Sequence, residues 1–251
     1  MVTISSKLLS AETLENGKLK TSTEAINTFN CSNNMELYNR YAYQWKIIDK
    51  NFCSQKYPNL LLLIFAITAV EQREHRILIR KTWGNIRLYE NFKTVVLFPL
   101  GITDDLDMMN LIQKEQQKYG DIIQQEFFDT YKNLTIKPVS YKEYPMQYYP
   151  RHCSGSFYLL TGYLARLLFE QARFCTLFWI EDVHVTGHLG LRVHAYYEEW
   201  NQKILFKWNQ LEEVINTSNV LFVLIYSPNE HIQLWKWLKN YYGYDKEIEN
   251  F

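Results

Sequence analysis

The sequence has few cysteines and no excess of charge of either sign. Its 251 residues contain four cysteines, none of them in a CxxC pair, so neither a disulfide-rich scaffold nor a cysteine-based zinc site is predicted. The 27 basic and 27 acidic residues balance, which argues against nucleic acid as a partner. The four cysteines permit one or two disulfides without requiring any, and they are Cys31, Cys53, Cys153 and Cys175.

Long apolar runs are absent as well. The longest run, residues 60–70, is far shorter than the roughly 20 residues that a membrane-spanning helix needs. The N-terminal stretch MVTISSKLLSAETLENGK has neither the basic segment nor the continuous apolar core of a signal peptide or signal anchor. The sequence therefore predicts neither a signal peptide nor a transmembrane anchor in this chain.

Composition divides the chain into two parts. Residues 1–57 are predicted to be a poorly or partly ordered lead-in, because Ser, Thr, Asn and Glu dominate the first half of this segment. Residues 58–251 hold the periodic apolar patterns, and they are predicted to form the folded domain.

Strand and helix patterns alternate along the first half of that domain. Residues 60–70 predict a buried strand, 93–101 a second and 121–127 a third, with helices over 71–83 and 104–119 between them. This alternation predicts an α/β fold with a mostly parallel sheet, helices on both faces and ligands at the carboxyl ends of the strands. The helix residues expected to point inward are Ile77, Leu78, Leu106, Met109, Ile112 and Gln116.

An acidic pair follows an apolar aromatic run in FWIEDVHVTG, residues 178–187. If the run is a buried strand, Glu181 and Asp182 lie at its carboxyl end, where a partly desolvated carboxylate can accept a proton from a hydroxyl. The same residues also suit the first turn of a helix, which favours negative charge. The residues alone leave both interpretations open.

Three histidines follow the acidic pair. His184 and His188 are one helical turn apart and could bind a metal together, with His194 nearby. The HExxH motif of zinc helices is missing, however, and Gly187 weakens the helix. Polar or partly buried histidines are the favoured interpretation.

An acidic cluster at residues 104–107 contains the DxD pattern with which many sugar-nucleotide transferases bind a divalent metal. A helix cap at Thr103 or Asp104, with further acids near the positive end of the helix, explains the cluster better. The metal interpretation therefore takes second place.

Three arginines recur at helical spacing in residues 73–80. Arg73, Arg76 and Arg80 share one predicted helix face, directly after a predicted strand. That position suits phosphate recognition, because ligands bind at strand ends in α/β sheets. A solvated helix face explains the spacing equally well.

Four segments, taken in order, resemble one known family. They are HRILIRKTWGN (75–85), YGDIIQQEFFDTYKNLTIK (119–137), YPRHCSG (149–155) and IEDVHVTG (180–187). Together they are similar to the beta-1,3-galactosyltransferases, inverting Golgi membrane enzymes of glycosyltransferase family 31. These enzymes have the GT-A fold and transfer a sugar from a UDP-sugar donor to a glycan hydroxyl in protein glycosylation. The resemblance extends over about residues 58–226.

The resemblance implies a division of roles within the site. Asp182 would be the catalytic base, with Glu181 beside it. Manganese would neutralise the diphosphate leaving group. For a chain that does not itself transfer sugar, a partner glycosyltransferase is the expected interaction instead. The donor-binding residues would be Thr68, Arg76 and Arg80, and the substrate-binding residues would be Tyr149, Ser154 and Gly155.

The chain departs from the family pattern at one decisive place. The family has a strand with three consecutive aspartates, the metal-binding DxD, between its NLT·K and tyrosine-proline motifs. Here Lys137 is followed directly by PVSYKEYPMQYYP, with no aspartate. The sequence therefore predicts an internally deleted domain without the DxD metal ligands. Its alternative function is that of a non-catalytic pseudoenzyme or splice form that binds a glycan or a partner protein.

Overall fold

The computed structural model describes residues 2–5, 43–85, 93–128, 149–176, 178, 180–216 and 220–243. The chain forms two compact units. Unit I consists of Met1–Ala42 and Tyr131–Ile204, and unit II consists of Tyr43–Thr130 and Leu205–Phe251. The predicted boundary after residue 57 does not coincide with this division and stays a prediction.

Strands and helices alternate through much of the described chain. The strands are β1 (Val2–Ser5), β2 (Trp45–Ile47), β3 (Leu62–Phe65), β4 (Thr94–Ile102), β5 (Ile122–Phe128), β6 (Leu159–Leu160), β7 (Tyr196–Glu199), β8 (Ile204–Leu205) and β9 (Phe222–Val223). The α-helices are α1 (Arg73–Lys81), α2 (Leu106–Tyr119), α3 (Gly162–Ala172), α4 (Gly190–Arg192), α5 (Leu211–Val214) and α6 (Pro228–Tyr242). Two segments are π-helical, Phe52–Lys56 and Val183–Leu189, and two are 3₁₀-helical, Asn201–Lys203 and Trp208–Gln210.

The main sheet of unit II has four strands in the order β2-β5-β4-β3. β3 and β4 pair in parallel, as do β4 and β5, whereas β2 pairs antiparallel with β5. This mostly parallel sheet with intervening helices confirms the predicted α/β class. Parallel neighbours need a crossover connection, which α1 and α2 provide.

The core of unit II lies on the central strand β4. Val96, Phe98 and Leu100 are buried there and pack with Ile79 of α1 and Ile112 of α2. Because β4 has a neighbouring strand on both sides, it is a buried strand, and a row of eight apolar or small residues is typical of such a strand.

The prediction of a buried strand over residues 60–70 is correct for the strand and wrong for its burial. β3 is at the edge of the sheet, with β4 as its one partner among the described strands. Leu61 is 74% exposed, Phe65 51% and Ile67 64%. An edge strand lacks the neighbour that would cover these side chains, so its apolar composition alone did not determine its burial.

Two details of the helix faces also differ from the prediction. In α1 the buried residues are Arg76 and Ile79, while Ile77 and Leu78 are half-buried. In α2 Leu106 is 77% exposed, because it is the first residue of the helix and lies beyond the sheet-facing stripe.

Unit I contains a three-stranded sheet in the order β6-β1-β7. β1 pairs in parallel with β6 and antiparallel with β7, so part of the predicted lead-in forms a strand. The second half of the lead-in also contains regular structure, in β2. The apolar aromatic run before Glu181, which the sequence indicates as a strand, lies partly outside the described residues. The junction after Lys137 lies entirely outside them.

The described cysteines differ in their pairing. Cys175 is disulfide-bonded, whereas Cys53 and Cys153 are thiols.

Among the described residues, no helix has both the length and the apolar character needed to cross a membrane.

Candidate active site

The acidic pair begins a helical segment in unit I. Helical structure starts at Glu181 and continues through the π-helical segment Val183–Leu189 into α4. One oxygen of Asp182, Oδ1, accepts a hydrogen bond from the backbone N–H of Val183 at 2.9 Å. The acidic helix start is therefore confirmed, while the base function of Asp182 stays a prediction. The two functions are compatible, and π-helical segments are frequent at functional sites.

Glu181 interacts with an aromatic residue that the sequence did not single out. The Tyr158 hydroxyl donates a hydrogen bond to Oε1 of Glu181. Burial of its carboxyl group raises the pKa of Glu181, the Tyr158 hydrogen bond opposes this rise, and the charge of Asp182 adds to it. The two carboxylates therefore differ in environment.

The YPRHCSG loop packs directly against the start of this helix. A Cβ atom at Gly155 would lie 3.0 Å from Oδ2 of Asp182, so the glycine permits the carboxylate to approach the loop. The Cys153 N–H donates to Thr186 Oγ1 at 2.8 Å, and that hydroxyl donates to the Asp182 carbonyl at 2.5 Å. These bonds join the loop to the helix and fix the position of the Asp182 backbone. The structure thus brings together two predicted residues that are 27 positions apart, Gly155 and Asp182.

The other two predicted substrate residues lie along the same loop. The Tyr149 ring contacts His152 and Phe178, with centroids 6.1 and 6.3 Å apart. Ser154 is exposed, and its hydroxyl lies 3.4 Å from that of Ser156. The loop therefore offers an aromatic ring and a hydroxyl near the acidic pair.

Two of the three histidines after the acidic pair are buried, and His194 is exposed. His184 and His188 are each 4% exposed, with ring centroids 5.9 Å apart. Burial lowers the pKa of His184 to about 4 and that of His188 to about 3, and neighbouring histidines contribute to the second shift. His184 Nδ1 accepts the Phe178 N–H at 3.3 Å, as a neutral imidazole can. Within the described ranges, no group of three or more His, Cys, Asp or Glu side chains could hold a metal ion.

These histidines predict a loss of stability in acid. Their folded pKa values lie below the unfolded value of 6.5, so the unfolded state takes up protons first. The stabilising contribution is complete above pH 6.5 and is lost as the pH falls toward 3–4. At pH 4.5 each of these two histidines is expected to lower the free energy of unfolding by about 2–3 kcal/mol relative to pH 7. Glu181 has the opposite sign, because its raised pKa lowers stability as the pH rises above its unfolded value.

Urea unfolding at pH 7 and pH 4.5 measures this effect. His188→Leu should reduce the difference in unfolding free energy between the two pH values, whatever it does to stability at pH 7. His194→Leu is the matched control, since His194 is exposed. A pH dependence identical in the native chain and both variants would contradict the prediction.

In unit II the predicted donor-side arginines form a buried ionic cluster. Arg76 is fully buried and makes two hydrogen bonds to Glu115, from Nε and Nη2, at 3.0 Å each. Its remaining N–H groups reach the carbonyls of Ala69 and Val70 at 2.6 and 3.0 Å and Thr68 Oγ1 at 3.4 Å. Arg76 therefore ties the segment after β3 to helix α2.

Arg80 completes the cluster. It donates to both carboxylate oxygens of Asp121 at 2.8 Å and to Glu115 Oε1 at 2.6 Å. Its guanidinium also lies 4.1 Å from the centroid of the Tyr119 ring. Desolvation works to raise the pKa of Glu115, but hydrogen bonds from both arginines and their charges bring it below its usual value. The charges of two arginines and two carboxylates balance in this cluster. Buried Arg76 does not fit a solvated helix face, whereas Arg73 pairs with Glu74 at the surface. Phosphate recognition by this face stays a prediction.

The acidic cluster at residues 104–107 caps helix α2. Asp105, rather than Thr103 or Asp104, is the N-cap, and its side chain accepts the N–H groups of Asp107 and Met108 at 2.9 and 3.0 Å. The capping interpretation is thus confirmed with a shift of one residue. Glu115 and Asp121 were not predicted as functional; the signal that could have found Glu115 is its place one turn after buried Ile112.

Sequence comparison places these two sets of residues in one family. The galactosyltransferase family model matches residues 74–141 and 138–200, which together make up half of the chain. The matched residues include the acidic pair and the two arginines of the buried cluster. The chain belongs to the galactosyltransferase family.

Relatives with curated names agree with this assignment. Beta-1,3-galactosyltransferase 2 of Mus musculus is 27% identical over 270 aligned positions, which cover 80% of this chain and 63% of the relative. The Homo sapiens protein of the same name is 39% identical over 114 residues, covering 45% of this chain and 26% of the relative. Lactosylceramide 1,3-N-acetyl-beta-D-glucosaminyltransferase of Homo sapiens is 42% identical over 101 residues, or 38% of this chain and 26% of the relative.

The chain matches only part of each of these relatives. The chain spans less than two thirds of the length of each of these relatives. The longest alignment has 270 positions, more than the 251 residues of this galactosyltransferase-family chain, so the mouse relative contains residues that this chain lacks. The two pieces of the family match meet at residues 138–141.

Proposed function

We propose that this chain is a hexosyltransferase that transfers a sugar from a UDP-sugar to a glycan hydroxyl, with Asp182 as its base. The observation that carries the proposal is the contact between Asp182 and the Gly155 loop. It places a half-buried carboxylate beside a loop with an exposed hydroxyl and an aromatic ring, within a family whose named relatives are transferases of this type.

The proposed step uses the residues of unit I. An acceptor hydroxyl bound at the loop gives its proton to Asp182 as its oxygen attacks the anomeric carbon of the donor. The bond from that carbon to the UDP oxygen breaks, UDP leaves, and the configuration at the carbon inverts. Glu181, with its raised pKa and its bond to Tyr158, orients the acidic pair. Tyr149 and Ser154 are proposed to contact the sugar.

Thr68, Arg76 and Arg80 are proposed to organise the donor side indirectly. Arg76 is paired with Glu115 and would position the residue 68–70 segment rather than meet the diphosphate itself. Arg80 is paired with Glu115 and Asp121 and would hold Glu115 in place for Arg76. The family resemblance implies manganese at the diphosphate. The described residues contain no cluster that fits a metal ion, so no ligands are assigned and no step is routed through the metal. A Golgi membrane location belongs to the same proposal and rests on the relatives.

A second candidate function is glycan or partner-transferase binding without sugar transfer. The pairing of Arg76 and Arg80 with Glu115 and Asp121 favours it, because the cluster has no net charge to offer a diphosphate. The direct passage from Lys137 into the tyrosine-proline motif, without the aspartate strand, supports it further. The position where the two pieces of the family match meet agrees with an internal deletion there.

Isothermal titration of the purified chain with UDP, with and without manganese, separates the two candidates. A transfer assay with UDP-galactose and an N-acetylglucosaminide acceptor accompanies it. Manganese-dependent UDP binding together with transfer is expected from the hexosyltransferase. Manganese-independent binding, or no binding by a folded chain, with no transfer would refute that proposal and leave the non-catalytic function.

A further inference from the structure

Unit II contains a cleft that no part of the proposed reaction uses. Its volume is about 240 Å³, and it is lined by Trp208, Asn209, Glu212 and Trp237. Three elements supply these residues: the 3₁₀ turn Trp208–Gln210, the short helix α5 and the long helix α6. All four residues follow residue 200, where the family match ends.

One aromatic wall of the cleft, Trp237, is held in place by a second aromatic ring. Trp237 stacks on Tyr241 with an interplanar angle of 16° and centroids 5.1 Å apart, so one face of its ring is covered. The Tyr241 hydroxyl donates in turn to Asn216 Oδ1. Trp208 and Trp237 are both half-buried, so part of each ring is open to a ligand.

The polar residues of the cleft face solvent. Asn209 and Glu212 are both exposed. The amide supplies donors and an acceptor, and the carboxylate supplies two acceptor oxygens. No described lining residue carries a positive charge.

We propose that this cleft binds one hexopyranose residue of a glycan chain. A β-linked hexopyranose has an apolar ring face of axial C–H groups, which packs on indole rings, and a rim of hydroxyls, which suits a carboxylate and an amide. The volume of the cleft falls below the roughly 300–1,000 Å³ of pockets that enclose drug-sized ligands, so the cleft matches a single sugar ring. The carboxylate repels phosphate, which argues against a nucleotide that would also stack on tryptophan.

The cleft is inferred from unit II alone and does not rest on the proposed transfer reaction. It would anchor a glycan in a catalytic and in a non-catalytic chain alike. Asp182→Asn should therefore leave sugar binding at the cleft unchanged. This separates a failure of the cleft from a failure of the proposed active site.

Saturation-transfer NMR with methyl β-D-galactopyranoside and N-acetyllactosamine, without UDP or metal, tests the proposal. The native chain should transfer saturation most strongly to the axial ring protons. Trp237→Ala should weaken binding by about fivefold or more, because aromatic stacking is lost. Glu212→Gln should weaken it without unfolding the chain, since this side chain is exposed.

Tyr226→Ala is the matched control, because Tyr226 is a 73% exposed aromatic residue of unit II that does not line the cleft. Its saccharide binding should equal that of the native chain. Absence of saturation transfer from folded native chain would overturn the proposal. Equal transfer from the native chain, Trp237→Ala and Glu212→Gln would also overturn it, by placing the sugar elsewhere.

Discussion

Asparagine at position 182 is expected to lower sugar transfer by about 10²- to 10⁴-fold, the usual contribution of a general base. The amide keeps the size of the side chain and can still accept the Val183 N–H with its oxygen, but it cannot take the acceptor proton. Transfer from UDP-galactose at saturating acceptor measures the effect as kcat. The midpoint of thermal unfolding should change little, which separates lost chemistry from lost folding.

Glu181→Gln is the matched control for this substitution, because it removes the neighbouring carboxylate and leaves Asp182 intact. It should reduce the rate far less. Gly155→Ala tests the same geometry without altering any carboxylate, since its methyl group would press on Oδ2 of Asp182 at 3.0 Å. An Asp182→Asn chain that transfers sugar at the native rate would refute the assignment of the base.

Glutamine at position 115 is expected to lower the free energy of unfolding by about 3–5 kcal/mol, the usual effect of removing one partner of a buried ion pair. Glu115 is buried and accepts hydrogen bonds from both Arg76 and Arg80. Without its charge, Arg76 remains in the core as an uncompensated cation. Urea denaturation followed by far-UV circular dichroism measures the change.

Glu74→Gln serves as the control for the buried pair. Glu74 bonds to Arg73 on the surface, where its side chain is 84% exposed, and exposed pairs contribute about 0–1 kcal/mol. The double variant Arg76→Met with Glu115→Leu should recover much of the loss, because apolar residues of similar volume can replace a buried ion pair. Equal stability of Glu115→Gln and Glu74→Gln would show that the buried cluster is not needed.

The order of strands and helices in unit II could be read from the sequence because its signals are local. A continuous apolar run marks β4, and a short acidic cluster marks the start of α2. The burial of β3 could not be read in this way. A strand's exposure depends on which strand lies beside it, and that is a property of the whole sheet.

The functional side chains show the same difference between local and long-range signals. The acidic pair and the Gly155 loop were found because they stand in compact motifs. The partners of Arg76 and Arg80 were not found, because Glu115 and Asp121 are 35 to 41 positions away from them. Tyr158 was missed for a similar reason, since its contact with Glu181 forms only when the loop meets the helix.

The exposed edge of β3 has a consequence for how this chain behaves at high concentration. Its outer backbone has no partner among the described strands, and apolar side chains such as Leu62 and Phe65 stand exposed beside it. Natural sheets usually protect such edges with charges, prolines or covering loops, because open edges recruit strands from other chains. The sequence LLIF contains no such protection. We therefore expect this edge to favour association between molecules of the chain at high concentration.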